Sequence, residues 1–279
     1  ALYALLEDDE DGAEILIAAN SKDQAHIAFN MCRDYAVAYD PEQSEVKTFR
    51  SDIVKVGEPG VIKVLAADSK SLDGYNCSLG IVDEYHSAVN SSVRDVIRSS
   101  MGMRVNPLLL TITTAGFDKS LPCYDLHNYA FEVASSIKED DSFFGLIFAL
   151  DDNDDWRDPI NWVKSNPNID ITVTSKFLST QVKQVINNPA DEVGVKTKNL
   201  NIWCDSAQVW IPEEYIVNAT KKLDINDFKG KTCYIGVDLS ANVDLTAISY
   251  VFVDDHGNPK DPDNTDYYIF TDFYIPRET

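Results

Sequence analysis

Two carboxylates stand side by side at Asp83-Glu84, directly after the mostly apolar run Leu79-Gly80-Ile81-Val82. A buried strand that ends in such a pair delivers both groups to the C-terminal edge of its sheet, where open α/β sheets bind ligands. Alternate residues of a strand point opposite ways, so the two acids can serve two roles. One can help hold a Mg2+ ion that bridges the β- and γ-phosphates of a nucleotide. The other can polarise an attacking water as a general base. The plainer alternative is a strand closed by two solvated acids.

A second candidate is Thr111-Ile112-Thr113-Thr114-Ala115-Gly116, which closes another apolar run. Small hydroxyl residues at a strand end can hydrogen-bond a γ-phosphate or the hydrolytic water and report its loss to neighbouring segments; a helix cap or turn is the alternative. A third is Asp238, after Tyr234-Ile235-Gly236-Val237 and before Leu239-Ser240. An acid at the end of a first strand, then a short turn and a second strand, opens ribonuclease-H-like nucleases, and also actin-like ATPases. Two-metal nuclease chemistry needs several carboxylates, so Asp238 alone is insufficient, and Asp244 reads as a turn or capping residue. The four histidines form no pair. His86 lies close to the Asp83-Glu84 pair, as a phosphate-sensing contact or a structural hydrogen bond. Arg94, Arg98 and Arg104 follow that pair. They read first as solvated helix charges, and otherwise as contacts to DNA or to a neighbouring subunit's nucleotide.

The elements that must position these groups are legible from periodicity. Residues 13–19 form a short apolar run suited to a strand buried on both faces. Ser21 with Gln24 three residues on is a capping box, and it opens a helix that Pro41 stops. Residues 53–56 and 61–66 flank Gly57-Glu58-Pro59-Gly60 as a hairpin. Residues 77–82, 107–113 and 143–150 read as further buried strands, separated by helices that begin near Val93 and at Leu121-Pro122. Strands alternating with amphipathic helices predict a mostly parallel sheet with helices on both faces. Residues 175–188 and 190–203 read as two helices separated by Pro189, and 212–223 as a short one. The strands at 232–237, 247–253 and 267–275 lack intervening helices and predict an antiparallel meander.

The 279 residues leave room for about one and a half to two domains. A net charge of −22 excludes a general nucleic-acid coat or a polybasic membrane binder, though not a local basic patch or contact through metal ions. Five widely spaced cysteines without a CxxC pair suggest reduced thiols rather than a disulfide framework. No apolar run approaches the ~18 residues of a membrane span. Both termini fall within element-like stretches, so a fragment of a longer chain is expected.

In their order, these landmarks resemble the large terminase subunit of tailed bacteriophages, over almost the whole chain. They run from Ile15-Leu16-Ile17-Ala18-Ala19-Asn20 and Ser71-Leu72-Asp73-Gly74 to Asp83-Glu84-Tyr85-His86 and Thr113-Thr114-Ala115-Gly116. Asn166-Pro167-Asn168, Lys198-Asn199-Leu200-Asn201-Ile202-Trp203 and Gly236-Val237-Asp238-Leu239-Ser240 complete them. The resemblance implies a P-loop NTPase-type ATPase domain over residues 1–205, a linker at 206–230, and the start of a ribonuclease-H-like nuclease at 231–279. It implies Asp83 and Glu84 as the Walker B pair, Thr113 and Thr114 as the coupling motif, and Asp238 as the first nuclease metal ligand. It implies ATP and Mg2+ as cofactors, with Mn2+ an option at the nuclease, and Asp83 and Asp238 as metal ligands. The implied partners are double-stranded DNA, a portal protein, a small terminase subunit and further copies in a ring on the procapsid. The implied location is the cytoplasm of a bacterial host, without a membrane. No G-x-x-x-x-G-K-[ST] loop occurs in the chain. The family's Walker A loop is therefore expected before Ala1 and the later nuclease acids after Thr279, and the chain alone is expected to be inactive. A DExH helicase and a non-catalytic prophage scaffold or oligomerisation piece are the alternatives.

Overall fold

The computed structural model describes residues 1–8, 10–65, 74–205, 213–239, 245–254, 256 and 265–274. They belong to two units, Ala1–Trp210 and Ile211–Thr279.

The first unit opens with α1 (Leu2–Leu6) and β1 (Ala13–Ala18). Ile15, Leu16, Ile17 and Ala18 are all fully buried, as an apolar run must be when it runs between two parallel neighbours. Ser21 then caps α2 (Lys22–Tyr39), its hydroxyl accepting the Gln24 N–H at 3.2 Å. The box closes through the Ser21 hydroxyl and the Gln24 side-chain oxygen at 3.4 Å. Ala25, Phe29 and Ala36 bury one face of this helix. Asp40 ends it, accepting main-chain N–H groups of Glu45 and Val46 at 2.7 and 3.0 Å and so launching β2 (Val46–Thr48). That short strand had no signal of its own in the sequence. β3 (Asp52–Lys55) and β4 (Gly60–Leu65) form the expected antiparallel hairpin. β5 (Leu79–Asp83), α3 (Ser92–Ser100), β6 (Leu108–Ile112) and α4 (Pro122–Ala134) follow.

The sheet order is β2-β3-β4-β1-β5-β6, with β4, β1, β5 and β6 mutually parallel. Gly80 lets α3 lie close on β5: a Cβ there would stand 2.3 Å from Ile97 Cγ2. Among the described residues β6 is an edge strand, and its Leu108 and Ile112 remain half exposed.

Residues 143–150 do not form the expected strand. They run without a ladder, and Phe144 and Leu146 are exposed. A strand exists only through its partner, and no described strand lies beside this segment. Phe143 instead packs edge-on against Tyr129, and the Phe148 carbonyl accepts from Asn201 Nδ2 at 2.7 Å. Beyond it come α5 (Trp162–Ser165), α6 (Ser175–Asn187) and α7 (Glu192–Leu200), packed around Trp162, Leu178, Val182 and Leu200. α7 stops at Leu200, short of the expected 203, because Asn201 turns to the left-handed region at φ 55°.

The second unit contains α8 (Glu213–Ala219) and an antiparallel meander of β7 (Cys233–Asp238), β8 (Thr246–Asp254) and β9 (Asp266–Tyr274). Its apolar packing centres on Phe228, whose ring lies 4.8 Å from that of Phe252 and 5.4 Å from that of Phe270. Every residue of β7 is exposed. Among the described residues no helix is long and apolar enough to cross a membrane.

Candidate functional site

Asp83 is the last residue of β5, opposite Ile112 of β6 in parallel register, so the acids sit at the C-terminal edge of the sheet. Asp83 Oδ1 accepts the N–H of Glu84 at 2.9 Å, which fixes the carboxylate against its own chain. Glu84 has φ 53° and ψ 42°. A non-glycine residue in that region stores about 1–3 kcal/mol of backbone strain and persists only where its surroundings impose it. Tyr85–Ser87 then make one 3-10 turn, with the Tyr85 ring buried. The strained residue redirects the chain so that Glu84 and His86 both face the end of β6.

Thr113 and Thr114 occupy that end. The main-chain N–H of His86 donates to Thr113 Oγ1 at 2.8 Å, and the imidazole Nδ1 lies 3.2 Å from Glu84 Oε2. The structure thus brings Glu84, Thr113 and Thr114 together around His86, a residue the sequence left open between two roles. A further contact had no chemical signal in the sequence. Asn201 Oδ1 accepts the Ala115 N–H at 2.6 Å while its Nδ2 holds Phe148, so one amide ties the turn after β6 to two distant segments. Only its place in the stretch 198–203 marked it. Beneath Thr113 lies Cys123, whose thiol burial pushes up to about 11, so it stays protonated and donates to Thr113 Oγ1 at 3.8 Å.

On the other side of β5, the ends of β1 and β5 and the start of α3 line a cleft of ≈ 330 Å³ that includes Asn20, Ser87 and Arg94. Asn20 Nδ2 hydrogen-bonds Ser87 Oγ across it. The Arg94 guanidinium lies over the Tyr85 ring and its Nε reaches Thr111 Oγ1 at 3.4 Å. Arg104 is neither solvated nor a finger. It is nearly buried, pairs with Glu10 at 3.2 Å, and donates to the carbonyls of Asp11, Gly12 and Asn76. Those bonds fasten the turn before β1 to the loop before β5.

Asp238 ends β7, a strand end as the sequence indicates, in the second unit. Across the sheet it pairs with Ala247, which in turn pairs with Phe273, so these strands bring no second acid onto its face. The adjoining residues 240–244, including Asp244, lie outside the described residues. Among the described residues no group of three or more His, Cys, Asp or Glu side chains could hold a metal ion. Mg2+ is commonly held by one or two carboxylates, with phosphates and waters completing the octahedron, and Asp83 fits that demand. A two-metal centre needs several carboxylates, and the described strands place only Asp238 on this face.

Comparison with known proteins meets this geometry. Residues 1–132 match the family model "Terminase large subunit, ATPase domain", and residues 137–259 match "Terminase large subunit, endonuclease domain". The chain is 31% identical over 209 residues to Protein YmfN of Escherichia coli (strain K12), covering 74% of this chain and 45% of that protein. It is 26% identical over 248 residues to the terminase large subunit of Lactococcus phage p2, covering 86% of this chain and 45% of that protein. The crystal structure of the HK97 bacteriophage large terminase superposes with a TM-score of 0.63 at 22% identity, over 99% of this chain and 55% of that one, and shows the same fold. The chain therefore spans about half the length of the relatives it matches. Neither matching model favours a helicase. Matched by the models of both domains along nearly all its length, the chain belongs to the terminase large subunit family.

Proposed function

We propose that this chain carries the hydrolytic half of a packaging ATPase and the opening of its endonuclease, within a motor that drives double-stranded DNA into a procapsid and cuts it. The observation that carries this reading is the convergence of Asp83, Glu84, Thr113 and Thr114 at one sheet edge. In this reading Glu84 orients the attacking water and takes its proton. Asp83 would hold the Mg2+ bound with ATP, whose charge would offset that of the phosphate oxygens. Thr113 and Thr114 pass the state of the nucleotide to the chain beyond β6. This reading needs a phosphate-gripping loop, and no G-x-x-x-x-G-K-[ST] run occurs within the 279 residues.

Asp238 is, in the same reading, the first acid of a nuclease that uses Mg2+ or Mn2+. The division at 1–205, 206–230 and 231–279 is part of the proposal, supported by the boundary between units at Trp210 and Ile211. The endonuclease model begins earlier, at residue 137, and so takes in the helices packed on Trp162. The partners are double-stranded DNA, tracked through its phosphates without base readout, a portal protein, a small terminase subunit, and further copies in a ring on the procapsid. The setting is the bacterial cytoplasm. The test is Glu84→Gln in the full-length protein. ATP binding should persist while hydrolysis falls ~10²–10⁴-fold, the range supplied by a general base; hydrolysis at the original rate would remove Glu84 from this role.

A further inference from the structure

The hydrogen-bond inventory around His86 favours one arrangement of its side chain. Thr113 Oγ1 has one proton and two lone pairs. It donates to the Thr114 carbonyl at 2.8 Å, and it accepts from the His86 main-chain N–H at 2.8 Å and from the Cys123 thiol at 3.8 Å. Thr114 Oγ1 donates to the Ala115 carbonyl at 3.2 Å. Each threonine hydroxyl thus has a nearer acceptor in a carbonyl than in His86 Nδ1, which lies 3.3 and 3.5 Å away. The remaining neighbour is Glu84 Oε2 at 3.2 Å, and an ionised carboxylate only accepts. A proton on Nδ1 gives the carboxylate, the strongest acceptor within reach, its donor.

We propose that His86 is a positioning residue that ties the Glu84 carboxylate to the coupling threonines. Its Nδ1–H orients Glu84, while its main-chain N–H grips Thr113 on the neighbouring strand. The residue is held from behind as well. A Cβ on Gly116 would come within 3.3 Å of the His86 carbonyl and 2.9 Å of the Trp203 ring, so the turn after Thr114 lies directly against it. A displacement of the end of β6 then reaches the base through one ring, and the φ of 53° at Glu84 marks where the chain is bent to allow this. The inference rests on Glu84 being the base, as proposed above.

Three measurements test it. In the 279-residue chain, long-range 1H–15N correlation spectra should show the neutral His86 ring in its Nδ1–H tautomer. Glu84→Gln should move its Nδ1 resonance, whereas an Nε2–H tautomer indifferent to that change would overturn the proposal. In the full-length protein, His86→Ala should lower kcat for ATP by ~10- to 100-fold with KM nearly unchanged, the cost of misplacing a reacting group by about an ångström. His86→Asn, which places an amide N–H near the position of Nδ1, should recover most of that loss. An unchanged kcat in His86→Ala, or equal losses in both variants, would overturn the role of the Nδ1–H. The two readings fail separately. Hydrolysis surviving Glu84→Gln sinks the base itself, whereas hydrolysis lost in Glu84→Gln but intact in His86→Ala sinks only the link.

Discussion

The chain contains two glycine-acid strand ends that look alike in sequence, Gly80-Ile81-Val82-Asp83 in β5 and Gly236-Val237-Asp238 in β7, and they are built differently. β5 lies inside a parallel sheet, and its glycine is pressed by Ile97, Leu109 and Met101. Its acids stand among partners from the 3-10 turn and from β6. β7 is the exposed first strand of a meander, nothing lies within 4 Å of a Cβ added at Gly236, and the paired positions beside Asp238 are Ala247 and Phe273. A crossover topology gathers side chains from segments far apart in the chain, and a meander gathers mainly its own neighbours. One strand end is therefore a constellation, and the other is a single carboxylate.

The sharpest way to break this comparison is to exchange the losses in the full-length protein. Asp238→Ala should abolish Mn2+-dependent DNA cleavage and leave ATP hydrolysis intact, and Glu84→Gln should do the reverse; a variant that lost both activities would join what the two units keep apart. The packing difference comes next. Phe29→Ala, in the fully buried face of α2, should cost about 3–5 kcal/mol in denaturant unfolding of the first unit. Ile235→Ala, on exposed β7, should stay within about 0.5 kcal/mol. Equal costs would mean that β7 is as well packed as the central sheet. The glycines refine the point. Gly80→Ala should destabilise by about 1–3 kcal/mol through overpacking against Ile97. Gly236→Ala, into open space, should be neutral or stabilising by up to about 1 kcal/mol, because it mainly restricts the unfolded chain.

A further effect is in acid. The N–H groups of Val46 and Glu45 hold the Asp40 carboxyl at about 2, down from 3.8. A carboxyl depressed in the folded state contributes stability above its unfolded value and loses it as pH falls through the folded one. Wild-type protein should therefore weaken between 3.8 and about 2, and Asp40→Asn should flatten the pH slope of Tm there. An identical slope in the variant would show that the bonds at the end of α2 do not govern this window.

The sequence by itself determined what local chemistry determines. The apolar run Ala13–Ala18 is a two-face-buried strand because nothing else accommodates it. Ser21 starts α2 through its own side chain, and Pro41 stands just past its end. The pair Asp83-Glu84 reaches a sheet edge because its strand runs out there. The order of such landmarks was enough to mark the family. Tertiary structure alone decided the rest, because the partners come from elsewhere in the chain. Residues 143–150 carry a strand's pattern without a described strand beside them. Arg104 looks like a surface charge until the carbonyls of Asp11, Gly12 and Asn76 surround it. His86 stays open between two roles until the register of β5 on β6 brings Thr113 to its main chain and the left-handed turn at Glu84 brings a carboxylate to its ring. Periodicity records which side of an element is apolar; it holds no record of which distant group will meet the polar one, and that meeting is what gives these side chains their chemistry.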